Sequence, residues 1–342
     1  MKAVASYLPP VPASPVAPEV RTARSTLAWH DGAWWVAHLE GDTLHVGPWE
    51  GQTTAISIRV GSYALAGTAA GLVLAYVVGG TLYACTRPRG RNWSTPTAMA
   101  GHAGPLPAVY AWDTSAGLRA AVAWHLADGG GVWASTWDGR WSPGARLDDG
   151  ASPAAEFPTI TGDGAGRLWA AWREAAEQAG EMRIRLASGC EGLPWVRTTL
   201  DIEGADPALG YDGRLLHMGY QRQWGIYAAE LDPDALDEVV DPECLSRSGL
   251  FASVAAGDGE AAVAWSEWRP TKGRPLDMTD YSTRTVRAAV RTVAGWDAWE
   301  ERPVTSATSH QGQPGAAWGP DGAAVAWTDR EANALRLAQV GR

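Results

Sequence analysis

Four carboxylates, one imidazole and two guanidiniums fall at two adjacent positions of a recurring pattern in this sequence. Glu40, Glu174, Glu267 and Asp329 each stand two residues after the ring that closes an apolar run, namely His38, Trp172, Trp265 and Trp327. Arg222 holds that place after Tyr220, and one residue earlier in the pattern lie His125, Arg173 and Gln221. Carboxyl groups facing each other across a pocket suit general acid–base chemistry, because repulsion and desolvation separate their affinities for protons. An arginine beside them suits bidentate capture of a carboxylate or phosphate. The candidate catalytic groups are therefore Glu174, Glu267, His125, Asp329 and Glu40. Arg173, Arg222, Gln221, Trp268 and Tyr281 are the candidate substrate contacts. The competing reading is structural: acids at strand ends cap turns and pair with nearby arginines.

Residues so far apart in sequence need a repeating frame to meet. The chain has 342 residues, with 40 Gly and 22 Pro, and its aromatic content is 20 Trp and 9 Tyr against 2 Phe. Such rings favour strands. A unit of about 48 residues recurs seven times, marked by Ala37-His38, Ala75-Tyr76, Ala123-Trp124, Ala171-Trp172, Gly219-Tyr220, Ala264-Trp265 and Ala326-Trp327. Turn signals precede most runs, as in Asp31-Gly32, Asp212-Gly213, Asp258-Gly259 and Asp321-Gly322; Asp-Gly supplies the positive φ that tight hairpins need. Apolar-x-apolar third strands follow, such as Leu82-Tyr83-Ala84 and Ile184-Arg185-Leu186.

The second strands, such as Leu72–Val78 and Leu118–Trp124, are almost continuously apolar, so both faces of each sheet must be covered. The pattern predicts an all-β fold, a single seven-bladed β-propeller. Its blades fall near 24–60, 61–104, 105–152, 153–203, 204–247, 248–308 and 309–342. Residues 1–23 are read as a closing strand, Ala3 to Leu8, that completes the last blade, followed by a proline-rich connector.

The later Trp-Ser step of the unit, in Asn92–Pro96 (NWSTP) and Arg140–Gly144 (RWSPG), resembles the sialidase-like, BNR-type propeller repeat. That resemblance implies a propeller shared by glycosidases, lyases and lectins. It carries over no sialidase catalytic residue. Trp137 stands where the Ser-x-Asp-x-Gly-x-Thr-Trp box needs Asp, and no Phe/Tyr-Arg-Ile-Pro segment is present.

The rim positions differ from blade to blade while the framework positions repeat, which suits one asymmetric central pocket. The sixth unit also carries a long insertion, Glu267 to Arg284, placed to act as a lid. The expected function is an enzyme acting on a polar small molecule or sugar by carboxylate or histidine acid–base chemistry, of the glycoside hydrolase or lyase type by analogy. The alternative is a non-catalytic glycan-binding lectin or a protein-interaction scaffold.

Bulk properties narrow the partners. A formal net charge of −10, with Arg87, Arg89 and Arg91 as the only dense basic cluster, argues against nucleic acid. No run is long and apolar enough for a membrane helix, and the N-terminus lacks a secretory apolar core, so a cytoplasmic location is expected. Cys85, Cys190 and Cys244 have no metal-binding or redox spacing and are expected to be buried thiols. No cofactor and no metal site is expected; a hydrated Ca2+ or Mg2+ would have only the rim carboxylates to bind. The sequence carries no signal of oligomeric state.

Overall fold

The computed structural model describes residues 20–21, 23–150, 154–176, 181–191, 194–239, 242–268, 284–291, 300–304, 310–329 and 332–340. Every regular element among them is a β-strand, and the strands form seven separate antiparallel sheets. Each sheet is one blade, entered along its inner strand. The inner strands are Leu27–His30, Val60–Thr68, Ala108–Thr114, Glu156–Gly162, Ala205–Tyr211, Gly249–Gly257 and His310–Gly319. Blade 1 carries a further short piece, Val20–Arg21, which pairs with the end of its second strand at Leu39 and Glu40.

Inner strands pack against each other around the ring, blade 7 on blade 1 included. Crowding at the axis demands small residues there. At the position opposite the Ala or Gly of each second strand stand Ala64, Ala108, Thr159, Ala208, Ser253 and Gly315. In blade 1, Thr26 fills this place, its carbonyl accepting from Ala37 N–H. The second strands are buried almost throughout, as in Gly71–Val78, because each blade is sandwiched between two neighbours.

Most inner strands are kinked near their start by an extra residue. The ladder shifts between Glu156 and Thr159, between Ala205 and Ala208, and between Leu250 and Ser253. Phe157, Asp206 and Phe251 occupy these bulges with φ of 52°, 51° and 59°, and Leu106 precedes the blade-3 strand at 61°. Proline follows three of them (Pro107, Pro158, Pro207) and withholds a ladder donor there. A bulge of this kind re-aims side chains at the strand's entry, and that entry is one mouth of the channel.

Among the described residues blade 7 has three strands, ending with Ala334–Gln339. The expected closing strand, Ala3 to Leu8, lies outside the described residues. One expectation about the thiols needs correction. Cys85 is buried, but Cys190 and Cys244 are exposed. Cys190 ends a third strand and Cys244 lies on an outer strand, both at the periphery.

Candidate functional site

The rim positions divide into two groups, because successive side chains on a strand face opposite ways. The acids two residues after the ring are taken up within their own blades. Trp172 Nε1 donates to Glu174 Oε1 at 2.8 Å, while Arg197 Nη2 and Arg185 Nε donate to Oε2 at 3.0 and 3.4 Å. Glu174 is only 4% exposed. Trp265 Nε1 donates to Glu267 Oε2 at 2.6 Å, and Arg336 holds Asp329 Oδ2 through Nε and Nη2 at 3.1 and 2.9 Å. Arg185 and Arg336 stand directly across from Trp172 and Trp327. This lock of ring, acid and cross-strand arginine thus keeps one register in blades 4, 6 and 7, with all three joined in blade 4, ring to acid in blade 6 and arginine to acid in blade 7.

Blade 1 fills the lock with histidines. His38 and His45 are cross-strand partners with stacked rings, and their Nε2 atoms lie 3.3 and 3.7 Å from the two Glu40 oxygens. Burial holds His38 below the usual imidazole range; Glu40 pulls it up and His45 pulls it down. In blade 5, Arg222 Nη2 donates to Glu203 Oε2 at 2.5 Å, and Gln221 Nε2 donates to the Gln223 carbonyl at 3.0 Å. Trp268 ends its strand opposite Arg284. Of the expected lid, Glu267 to Arg284, residues 269–283 lie outside the described residues, Tyr281 among them.

The residues that face the other way do converge. Arg173 Nη2 donates to Glu156 Oε2 at 2.8 Å, and Nη1 donates to Asp206 Oδ1 at 3.2 Å. Glu156 and Asp206 come from the inner strands of neighbouring blades, at or beside the bulges. The Arg173 guanidinium also lies 4.1 Å from the Phe157 ring centroid, and His125 meets that ring edge-on at 5.3 Å. His125 is 3% exposed and seated against Gly104, where a methyl group would overlap its ring. Burial lowers the His125 pKa; Glu156 works against that shift and Arg173 adds to it. Two donors or acceptors here remain unspent among the described residues, His125 Nδ1 and Arg173 Nε. Buried polar atoms are seldom left so.

Arg24 completes this mouth from across the ring. Its Nη1 donates to the Pro207 and Asp206 carbonyls of blade 5 at 2.8 and 3.3 Å. Its own carbonyl accepts from Ser253 Oγ at 3.0 Å, and that oxygen accepts from Ala316 N–H at 2.9 Å. One blade-1 residue therefore ties blades 5, 6 and 7 together at the axis. Burial lowers its pKa, Asp206 raises it and Arg173 lowers it, so the two guanidiniums act on each other across the mouth. Below Arg24 runs a cavity of about 270 Å³, lined by all seven inner strands.

Sequence reasoning singled out His125 and Arg173 but missed Glu156, Asp206 and Arg24. The Phe157-Pro158 and Asp206-Pro207 steps, at one register in neighbouring repeats, were the available signal.

Fold and site together define a seven-bladed propeller with one asymmetric, charged channel mouth. Among solved structures, the chain is similar to a streptogramin B lyase, with 12% identity, a TM-score of 0.55, and coverage of 94% of this chain and 96% of that one. It is similar to a protein of unknown function from Dyadobacter fermentans, at 10% identity and TM-score 0.52, covering 96% and 97%. A third likeness is to the six-bladed fucose-recognising lectin of Aleuria aurantia, at 14% identity and TM-score 0.51, covering 83% and 96%. At these identities the likeness shows the propeller alone. No family model and no curated protein matches the chain, and of the expected sialidase-like resemblance these comparisons support the propeller fold alone.

Proposed function

We propose that the protein is an enzyme acting on a small, polar, sugar-like molecule at the mouth formed by Arg24, His125, Glu156, Arg173 and Asp206. The observation that carries this reading is the shared guanidinium. Arg173 holds two carboxylates from different blades beside an imidazole whose pKa is lowered by burial. A neutral imidazole at pH 7 is a proton acceptor, and the Arg173 and Arg24 guanidiniums would stabilise negative charge developing on a substrate oxygen. The cluster balances two cations against two anions, so it offers donors and acceptors for hydroxyl groups without demanding a charged ligand. Propellers similar in fold include a lyase and a sugar-binding lectin, which is compatible with such a ligand and fixes no reaction.

The test is a screen of mono- and oligosaccharides for turnover by mass spectrometry, with His125→Gln and Arg173→Met alongside. Turnover that both substitutions abolish, in proteins that still unfold cooperatively, supports the reading. Turnover retained in both variants removes it.

A second reading, sugar binding without chemistry, is favoured by the locks. Glu174, Glu267 and Asp329, the acids most suited by sequence to catalysis, are held within their blades. Saturable binding in the same screen with no product would select it.

A further inference from the structure

The opposite mouth of the channel has a different chemistry. Three residues beyond the ring of small side chains, the inner strands of blades 1, 5 and 7 present Trp29, Tyr211 and Trp318, and Tyr110 of blade 3 stands one step earlier. All four line the 270 Å³ cavity and all are half-buried. The other inner strands present Gly67, Ala111, Gly162 and Ala256 at that level, and the Tyr110 ring packs directly onto Gly162. Tyr110 donates its hydroxyl to the Gly162 carbonyl at 2.8 Å, and Trp29 meets Trp34 edge-on at 5.0 Å, so the rings are held in place.

The surroundings are acidic. The hairpin turns at this mouth carry Asp31, Asp163, Asp212, Asp258 and Asp321, with Asp113 at the end of the blade-3 inner strand; of these, Asp212 is buried against His217 and Asp31 is paired with Arg89. Burial raises the phenol pKa values of Tyr110 and Tyr211, and the Asp163 carboxylate raises both further while Arg167 lowers that of Tyr211, which places the acid within reach of both rings and the arginine within reach of one. The arginines on this face are ion-paired, Arg89 with one of these rim acids and the other two with acids outside those hairpin turns. Arg89 pairs with Asp31 at 2.8 Å, Arg119 with Glu191 at 3.2 Å and Arg167 with Asp234 at 2.6 Å. Aromatic faces attract cations through their negative π clouds, and an acidic rim adds a field of the same sense.

We propose that this aromatic mouth is a second binding site, and that it takes a small organic cation of the quaternary ammonium type. The site is independent of the charged mouth and does not rest on the reaction proposed there.

The experiment is calorimetric titration of the full chain with choline and with its neutral isostere, 3,3-dimethylbutan-1-ol. Choline is expected to bind once per chain, and the alcohol at least about tenfold more weakly, since only the positive charge differs. Asp163→Asn, which keeps the acceptor that serves Ala165 and Arg167 N–H, and Trp29→Leu should each weaken choline about threefold or more. Equal binding of the alcohol, no choline binding, or affinity unchanged in both variants would each overturn the site. So would choline binding that is lost in Arg173→Met, which would place the cation at the opposite mouth.

Discussion

The two mouths of the channel are the two ends of the same seven strands, yet they solve opposite problems. At the entry of the inner strands, bulges break the ladder and bring charged groups from blades 1, 4 and 5 into one cluster. At the exit, the ladder runs regularly into the hairpin turns, and half-buried rings line the opening. A regular hairpin sets its side chains by alternation alone, whereas a bulge places one residue outside that alternation. The strained mouth is thus where the charged groups are concentrated; residues such as Phe157 and Asp206 hold a left-handed conformation at a cost of roughly 1–3 kcal/mol each.

The locks behind the charged mouth should dominate stability. Trp172 is fully buried and donates to Glu174, so Trp172→Ala should cost about 3–5 kcal/mol, the range for removing a buried large aromatic, plus whatever the orphaned carboxylate adds. Urea unfolding checks this. A cost below about 1 kcal/mol would mean that blade 4 is not braced as described.

A smaller effect separates the mouths. Gly104→Ala forces a methyl group against the His125 ring and should cost about 1–3 kcal/mol while displacing the imidazole. Turnover at the charged mouth should then fall and choline binding at the aromatic mouth should persist. If both fall together, the mouths are not independent.

The pH dependence is the mildest effect. His38 and His125 both have folded-state pKa values below the ordinary value of about 6.5. As the pH falls below that value the unfolded chain takes up protons first, so stability declines and levels off only below the folded-state values. The melting temperature should therefore drop between pH 7.5 and 5.5, and drop less in His125→Gln. An equal drop in that variant would remove His125 from the account.

The propeller was legible because its signals are local and repeated. Asp-Gly turns, apolar second strands and the small-aromatic step each report on one hairpin, and seven copies reinforce one another. The site was legible only in part. Glu174 and Arg173 are adjacent in sequence and equally polar, and pattern alone assigns them the same rim. Their divergence becomes visible only when Arg185 and Arg197 are seen to claim Glu174, while Glu156 and Asp206 claim Arg173. Arg24 was invisible for a related reason. Its partners lie more than 180 residues away across the axis, and no local pattern encodes a contact made by ring closure.

The central claim is that one ligand site lies at the charged mouth, and locating the bound molecule tests it most directly. A crystal of the protein soaked with a sugar that the screen selects should show a single ligand per chain. That ligand should touch Arg173 and at least one of Glu156 and Asp206, with His125 Nδ1 or Arg173 Nε engaged. A ligand bound instead along the outer groove between blades 2 and 3, lined by Arg89, Arg91, Arg119 and Trp137, or bound in several equivalent copies around the ring, would contradict the account.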